Sequence, residues 1–598
     1  MLKKFFISFL GSLAAIWISV IIAGVLFIVG IAAIGASAIA GASSSSSAAT
    51  SVERHSVLRI ALDGEITDRP TPVNIMDEIY GQSSNSIALN DLITSIKHAA
   101  TDKDIDGILL QCDGATAGLA QSQSIIDALN EFRDTGKWVY AYGDTYTQGN
   151  YFIASAADSI FLNPIGMVDI HGLQSTGLYF KGLLDKIGVE MQVVKVGTYK
   201  SAVEPYILTH SSEANREQTL HYISSIWSDM TATIADARGV DTTAVNRWAD
   251  SYSFATAPEN YITERIADRL LYGHQLDSLV CAKSGLDPEE DDPRFIGIDD
   301  YVAARKLSDL GHQSGKKRIA VLYAVGDIVE AGGSGINSSK LVPQILDLAD
   351  DKDIDGLILR VNSPGGSAYA SEQIWEALEQ FKKRSGRPFY VSMGDVAASG
   401  GYYISCGADR IYADPLTITG SIGIFGLIPN AQKLMNDKLG ITTSTVSTNS
   451  GTFPTFTEPM SEKQRAAMQG YVDRGYELFV GRVASGRDMS VDSVKAIAEG
   501  RVWDGRSALS LGLVDRMGGM MQAIADMAEE IEAGDDYCIR EYPRLKFKWW
   551  EEILTKGKNI RASMVRGELG ELAPLYDAAE SFRDMDRLQC RMEHTLLY

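Results

Sequence analysis

The sequence predicts an α/β protein in which one domain occurs twice, and three observations predict it. Segments return at a nearly constant spacing. "DKDIDGILLQCDG" (102–114) comes back as "DKDIDGLILRVNS" (351–363), "YAYGDTYTQGNYFIASAADSIFLNP" (140–164) as "YVSMGDVAASGGYYISCGADRIYADP" (390–415), and "GTYKSAVEP" (197–205) as "GTFPTFTEP" (451–459). Within each copy, apolar runs of strand length ("GILLQ", "GLILRV", "KWVYAY", "PFYVSM") alternate with amphipathic stretches such as "SEQIWEALEQFKKR". In that stretch Ile374, Leu378 and Phe381 recur at helical spacing. Strands alternating with helices imply βαβ units and largely parallel sheets. The length, 598 residues, also exceeds one ordinary core.

Taken in order, the chain opens with Lys3 and Lys4 and then carries no charge until Glu53. Residues 5–34 are almost wholly apolar, where ~20 residues suffice to cross a bilayer. That run is longer than the ~7–15 residues of a secretory signal core. The lysines before it, with no basic residue after it until Arg54, predict a single-pass anchor with a cytoplasmic N-terminus. The small residues of "GASAIAGASSSSSAAT" offer a cleavage site as the alternative, and its serine run reads as a tether. Residues 1–52 are therefore anchor and tether, 53–290 the first repeat and 318–535 the second. Residues 291–317 form the linker, and the repeats join across the acidic "GLDPEEDDPRF" (285–295) and nearby residues. Residues 536–598 are a C-terminal extension without an evident role. Trp549 and Trp550, beside lysines, suit either a membrane surface or packing against a neighbouring subunit.

A net charge of −22 argues against nonspecific nucleic-acid binding. The five cysteines (Cys112, Cys281, Cys406, Cys538, Cys590) lack metal spacing and read as buried small residues. "DKDIDG" matches the front of a calcium loop in both copies. The twelfth position, however, holds Asp113 or Asn362 instead of glutamate, so an Asp-rich turn before a strand is the reading.

Differences between the copies locate the chemistry. Ser399 in "VSMGDVAASGGYY" lies where an apolar run meets a glycine-rich helix start, and Gln148 stands opposite it. A serine nucleophile needs a base. Between His312 and His594 there is no histidine, so a local Ser-His-Asp triad is excluded; the others (His55, His98, His171, His210, His221, His274) share no motif. Lysine is the other candidate. Lys200 of "GTYK" faces Pro454, so the lysine is present where the serine is missing and the serine where the lysine is missing. This predicts a dyad drawn from both repeats. Such a lysine must be desolvated, because its ordinary pKa near 10.4 leaves almost no neutral amine at neutral pH. Glu204 must then point elsewhere. Ser421 of "TITGSIGIFG" is a candidate for orienting the amine, or is merely a turn serine. Gly365–Gly366 of "VNSPGGS", absent from the first repeat's "CDGATAG", can present an N–H to a developing oxyanion, with the Gly400 N–H as second donor. Ala397 rules out the G-x-S-x-G elbow.

"LRVNSPGGSAYASEQIWEAL", "MGDVAASGGYYISCGADRIYADPLTITGSIGIFG" and "GTYKSAVEPY" together resemble the signal peptide peptidase A (protease IV) family in its long, two-repeat form, over roughly residues 55–530. The resemblance implies a tandem ClpP/crotonase-like fold and a Ser/Lys serine endopeptidase of the bacterial inner membrane. Its catalytic body would face the periplasm and degrade cleaved signal peptides and other apolar peptides, as a homotetramer and without cofactor or metal. Position by position, it makes Ser399 the nucleophile, Lys200 the base, Ser421 the serine assisting the lysine, and Gly366 and Gly400 the oxyanion donors. Two rivals remain: a crotonase-type acyl-CoA enzyme, and an inactive membrane-associated scaffold. Neither needs the complementary retention of Ser399 and Lys200.

Overall fold

The computed structural model describes residues 51–70, 86–112, 114–307, 310, 314–332, 335–544, 588–592 and 596–597. The expected membrane anchor and the Trp549–Trp550 pair lie outside these residues. Among the described residues no helix is long and apolar enough to cross a membrane.

Each repeat builds one sheet, wholly parallel in the first and parallel in the second save that Val502–Asp504 runs antiparallel to Ile418–Gly420. In the first, strands run Arg294–Gly297, Ser56–Ala61, Ile105–Gln111, Trp138–Tyr146, Ser159–Val168, Arg269–Leu270 across the sheet. In the second the main path runs Val502–Asp504, Ile418–Gly420, Phe389–Ala398, Gly356–Ser363, Lys317–Val325, Tyr537–Tyr542. The near-continuous apolar runs are buried, as expected of parallel strands covered on both faces: Ile108 and Leu110 in one sheet, Leu357 and Leu359 in the other, are fully inside. Matching helices cover them, Leu89–Thr101 and Leu119–Asp134 in the first repeat, Ser338–Asp350 and Ala368–Ser385 in the second. The same carboxylate clamps recur. Asp158 accepts from the Val139 N–H and Asp409 from the Phe389 N–H, each at 2.8 Å. Asp268 and Asp515 do likewise for Ile160 and Ile411. In the "DKDIDG" turns, Asp102 and Asp351 each accept the backbone N–H two residues on, which starts the following strand.

Two boundaries move. Within the expected linker, Arg294–Gly297 pairs in parallel with Ser56–Ala61, and helix Ile298–Arg305 returns Arg305 to Asp102 and Asp104 at 2.7 Å each. Residues up to 305 thus complete the first repeat. Within the expected extension, Tyr537–Tyr542 is an edge strand alongside Lys317–Val325, so the second sheet runs past residue 535.

The repeats interlock. Strand Glu190–Lys195 of the first pairs antiparallel with Phe425–Asn430 of the second. That sheet continues through Leu588–Arg591, Gly365–Ser367 and Ile328–Val329 to Ile336–Asn337. A buried ion pair joins the repeats as well: Arg360 holds Asp68 through two bonds of 3.0 and 3.1 Å, and also donates to Ser392 Oγ and the Met393 carbonyl. Removing one partner of such a pair leaves a buried charge, at a cost of about 3–5 kcal/mol. Nearby, Asp395 of the second repeat accepts the Ala120 and Gln121 N–H groups, capping the first repeat's helix Leu119–Asp134. These contacts fix how the loop after Lys195 meets the second sheet.

Candidate active site

Ser399 ends the strand Phe389–Ala398 and precedes helix Gly400–Ser405. Its backbone stands at φ 56° and ψ −112°, a conformation that L-residues rarely adopt and that costs of order 1–3 kcal/mol. Two backbone bonds of 2.8 Å hold it there. Its N–H donates to the Gly420 carbonyl, and its carbonyl accepts from the Tyr403 N–H. The side chain is fully buried. Ser421, also at positive φ, donates its N–H to the Arg501 carbonyl at 2.7 Å.

Lys200 arrives from the first repeat, on the loop that follows the strand Glu190–Lys195. Its Nζ lies 2.7 Å from Ser399 Oγ, 3.1 Å from Ser421 Oγ and 3.2 Å from the Ser421 carbonyl. The side chain is 1% exposed. Burial drives its pKa down to about 7; the one opposing influence is Cys590. Glu204 does point elsewhere. Its carboxylate accepts from the Ser212 N–H, the Ser212 hydroxyl and the Asn215 amide, at the start of helix Glu213–Arg238. The amine is thus left with three oxygens and no counter-ion among its bonded partners. A neutral amine has two N–H groups and one lone pair. Donating both N–H groups to Ser421 leaves the lone pair for the Ser399 hydroxyl proton.

Two residues outside every motif described above hold Lys200. Gly500, at φ 80°, lies directly beneath it: a Cβ there would fall 2.7 Å from both Cα and Cβ of Lys200. Gln218, on helix Glu213–Arg238, donates to the Tyr199 carbonyl and Ser201 Oγ and accepts the Val502 N–H, tying the lysine loop to the second repeat. Both act on Lys200 through space, and neither carries a motif.

Gly365 and Gly366 form a short strand with Ser367 beside the serine, at φ 104° and 154°. A Cβ on Gly365 would lie 2.7 Å from the Gly400 nitrogen, so the two predicted donor segments adjoin. The structure therefore brings Ser399, Lys200, Ser421, Gly365, Gly366 and Gly400 together. Several histidines serve the first repeat: His55 pairs with Asp106, His98 with Tyr301 and His171 with Asp169. All five cysteines are buried, and none is in a disulfide.

The model of Peptidase family S49 matches residues 131–270 and 381–534, one stretch in each repeat. "Protease 4" of Salmonella typhi is 35% identical over 488 residues, 79% of this chain and 78% of that one. "Protease 4" of Haemophilus influenzae is 33% identical over 512 residues, 82% of each. The chloroplastic "Serine protease SPPA" of Arabidopsis thaliana is 28% identical over 484 residues, 79% of this chain and 69% of that one. By these matches the chain belongs to peptidase family S49, among the serine proteases of the protease 4 (SppA) type.

Proposed function

We propose that this serine protease is a membrane-anchored endopeptidase with a Ser399/Lys200 dyad that degrades cleaved signal peptides and other apolar peptides. The observation that carries the reading is the 2.7 Å contact between a fully buried serine hydroxyl and a buried lysine amine drawn from the other repeat. In the proposed mechanism the neutral amine takes the Ser399 proton as Oγ adds to the scissile carbonyl. Ser421 orients the amine through its hydroxyl and carbonyl. The Gly366 and Gly400 N–H groups receive the oxyanion, where losing one donor typically costs ~10²–10³ in rate. Lys200 then protonates the leaving amine, and water hydrolyses the acyl-enzyme by the reverse sequence.

An apolar substrate is supported by a cleft of about 990 Å³ lined by Ser367 and by Tyr369, Phe453, Pro454, Met468 and Tyr471, with polar Glu330, Thr452, Lys463 and Gln464 among its walls. Signal peptides as the substrate class are supported by a relative from Enterococcus faecium named a putative signal peptide peptidase, 34% identical over 277 residues. The uncharged run at residues 5–34 supports anchoring in the bacterial inner membrane with the body on the periplasmic side. A homotetramer belongs to the same proposal.

The test is degradation of a synthetic signal peptide by the full chain in detergent, alongside Ser399→Ala and Lys200→Ala. Fragments from the wild type alone support the reading. Equal turnover by either variant overturns it.

A further inference from the structure

Lys200 sits on a loop of the first repeat, yet the segment beneath it, residues 499–501, belongs to the second. The Tyr199 N–H donates to the Glu499 carbonyl at 3.0 Å, and the Thr198 N–H reaches the Glu499 carboxylate at 3.3 Å. Gly500 lies against the Lys200 backbone. Arg501 follows and is engaged at both ends. Its carbonyl accepts the Ser421 N–H at 2.7 Å. Its guanidinium carbon stands 4.7 Å from the centre of the Tyr199 ring and 4.6 Å from that of Trp503, over both faces. Trp503 is itself fixed. Its indole N–H donates to the Ile497 carbonyl at 3.0 Å, and a Cβ on Gly420 would fall 2.8 Å from its ring. Gly420 is the residue whose carbonyl holds the Ser399 N–H.

The rings, more than the hydrogen bonds, hold the guanidinium. Its bonds to Tyr199 Oη and to the exposed Glu217 carboxylate are long, 3.3 Å each, and an exposed ion pair is weak. Its Nε is buried and has no acceptor. A planar cation over aromatic faces gains most where water is excluded. The first repeat has the same turn without the cation. Tyr252 (φ 52°) and Glu499 (φ 55°) each open it, and each turn leads through a short helix, Pro258–Thr263 or Gly505–Ser510, to a two-residue strand. There Ser253 accepts the Ile170 N–H at 2.7 Å, and Phe254, in the place of Arg501, stands exposed. The arginine occurs in the copy on which the lysine loop docks.

We propose that Arg501 is a positioning residue that clamps Tyr199 and Ser421 together, so that the Lys200 amine is held dry against the Ser399 hydroxyl. This rests on the Ser399/Lys200 reading above. Without the clamp the lysine loop loosens at the residue next to the base, and water reaches the amine. An ammonium is then easier to form, and the base works only at higher pH. Glu217, Glu499 and His221 are the ionisable groups facing the clamp; Lys195 reaches the Lys200 carbonyl at 3.5 Å, and Cys590 lies beside the amine. Loss of the Arg501 charge alone would also favour the ammonium, so the test must remove the clamp while keeping the charge.

The experiment is kcat/KM of the full chain in detergent for an apolar fluorogenic peptide, from pH 5 to 10. It compares wild type with Arg501→Ala, Tyr199→Ala, the double variant, Tyr199→Phe and Lys200→Ala. Arg501→Ala and Tyr199→Ala are each expected to move the acid limb up by about one pH unit, a loss of about tenfold at pH 6 that mostly disappears by pH 10. The double variant should match the stronger single variant, since each removes one side of the same contact. Tyr199→Phe keeps the ring and should keep the wild-type limb. Circular dichroism identifies a variant that has lost its fold, and Tyr199→Ala then decides if Arg501→Ala does not fold. A limb unmoved in both, a limb moved in Arg501→Ala alone, or a loss equal at every pH overturns the clamp, while Lys200→Ala at the floor leaves the dyad standing. Lys200→Ala with wild-type activity overturns the dyad as well.

Discussion

The strand-to-helix junctions of the two repeats are built from the same plan and do opposite things. In the first, Thr147 caps helix Gln148–Ala154 with ordinary dihedrals (φ −68°, ψ 159°). Gln148, aligned with Ser399, spends its side chain on the backbone: it accepts from the His171 and Gly172 N–H groups and donates to the Gly172 carbonyl. In the second, Ser399 itself stands at the junction at φ 56°, and its hydroxyl meets the Lys200 amine. Both junctions are anchored alike below, Tyr151 to the Ile266 carbonyl and Tyr402 to the Leu513 carbonyl, each at 2.9 Å. One copy has a satisfied, relaxed turn that stabilises; the other holds a strained turn that exposes a hydroxyl to a base. The lysine loop shows the reverse division, with Lys200 in the first repeat and Pro454 lining the cleft in the second.

If this division is real, moving the serine should not move the activity. Ser399→Ala is expected to lower kcat by about 10⁶, the size of the loss when a serine protease loses its nucleophile. Adding Gln148→Ser to it should restore nothing, because the first junction is relaxed and Lys200 is held at the second repeat's junction by Ser421. Recovery in the double variant, measured by peptide hydrolysis, would break the comparison. Next in size is Gly500→Val, which drives a side chain into the Lys200 backbone at a residue with positive φ. Displacing the base by ~1 Å costs about 10² in rate, so kcat should fall at least that far while circular dichroism shows a folded chain. Ser421→Ala removes one of three oxygens around the amine. A fall in kcat/KM of about tenfold is expected, with the Ser421 carbonyl still orienting Lys200, and steady-state kinetics will measure it. The smallest effect on rate belongs to Gln148→Ala. It should leave kcat unchanged and cost about 1–3 kcal/mol of stability by stranding the His171 and Gly172 backbone groups, readable as a lower denaturation midpoint.

The sequence carried the repeat and the Ser399/Lys200 split because both are differences at aligned positions, visible without any knowledge of space. Ser421 was ambiguous from its residues alone, since a serine between glycines suits a turn as well as a site; only the resemblance gave it a role. Gly500 and Gln218 were illegible because their effect is tertiary: one makes room for Lys200, the other fastens its loop. The pairing of Glu190–Lys195 with Phe425–Asn430 was hidden for the same reason. Arg294–Gly297 is not legible as a strand, because four residues beside "PEEDDP" show no period-two pattern. "LQCR" at 588–591 is equally short, and its pairing depends on two edges that exist only after folding.

The most direct measurement is kcat/KM of the full chain for an apolar peptide from pH 5 to 10, for wild type and Lys200→Ala. Only the neutral amine can act as base, so activity falls as pH drops through the lysine pKa. Burial lowers that pKa to about 7, and the wild-type profile should therefore rise through pH 7 and level off above about 8. Lys200→Ala should lie at the floor with no such limb. A wild-type limb near the ordinary lysine value of about 10, or a Lys200→Ala profile matching the wild type, would contradict a base supplied across the repeats.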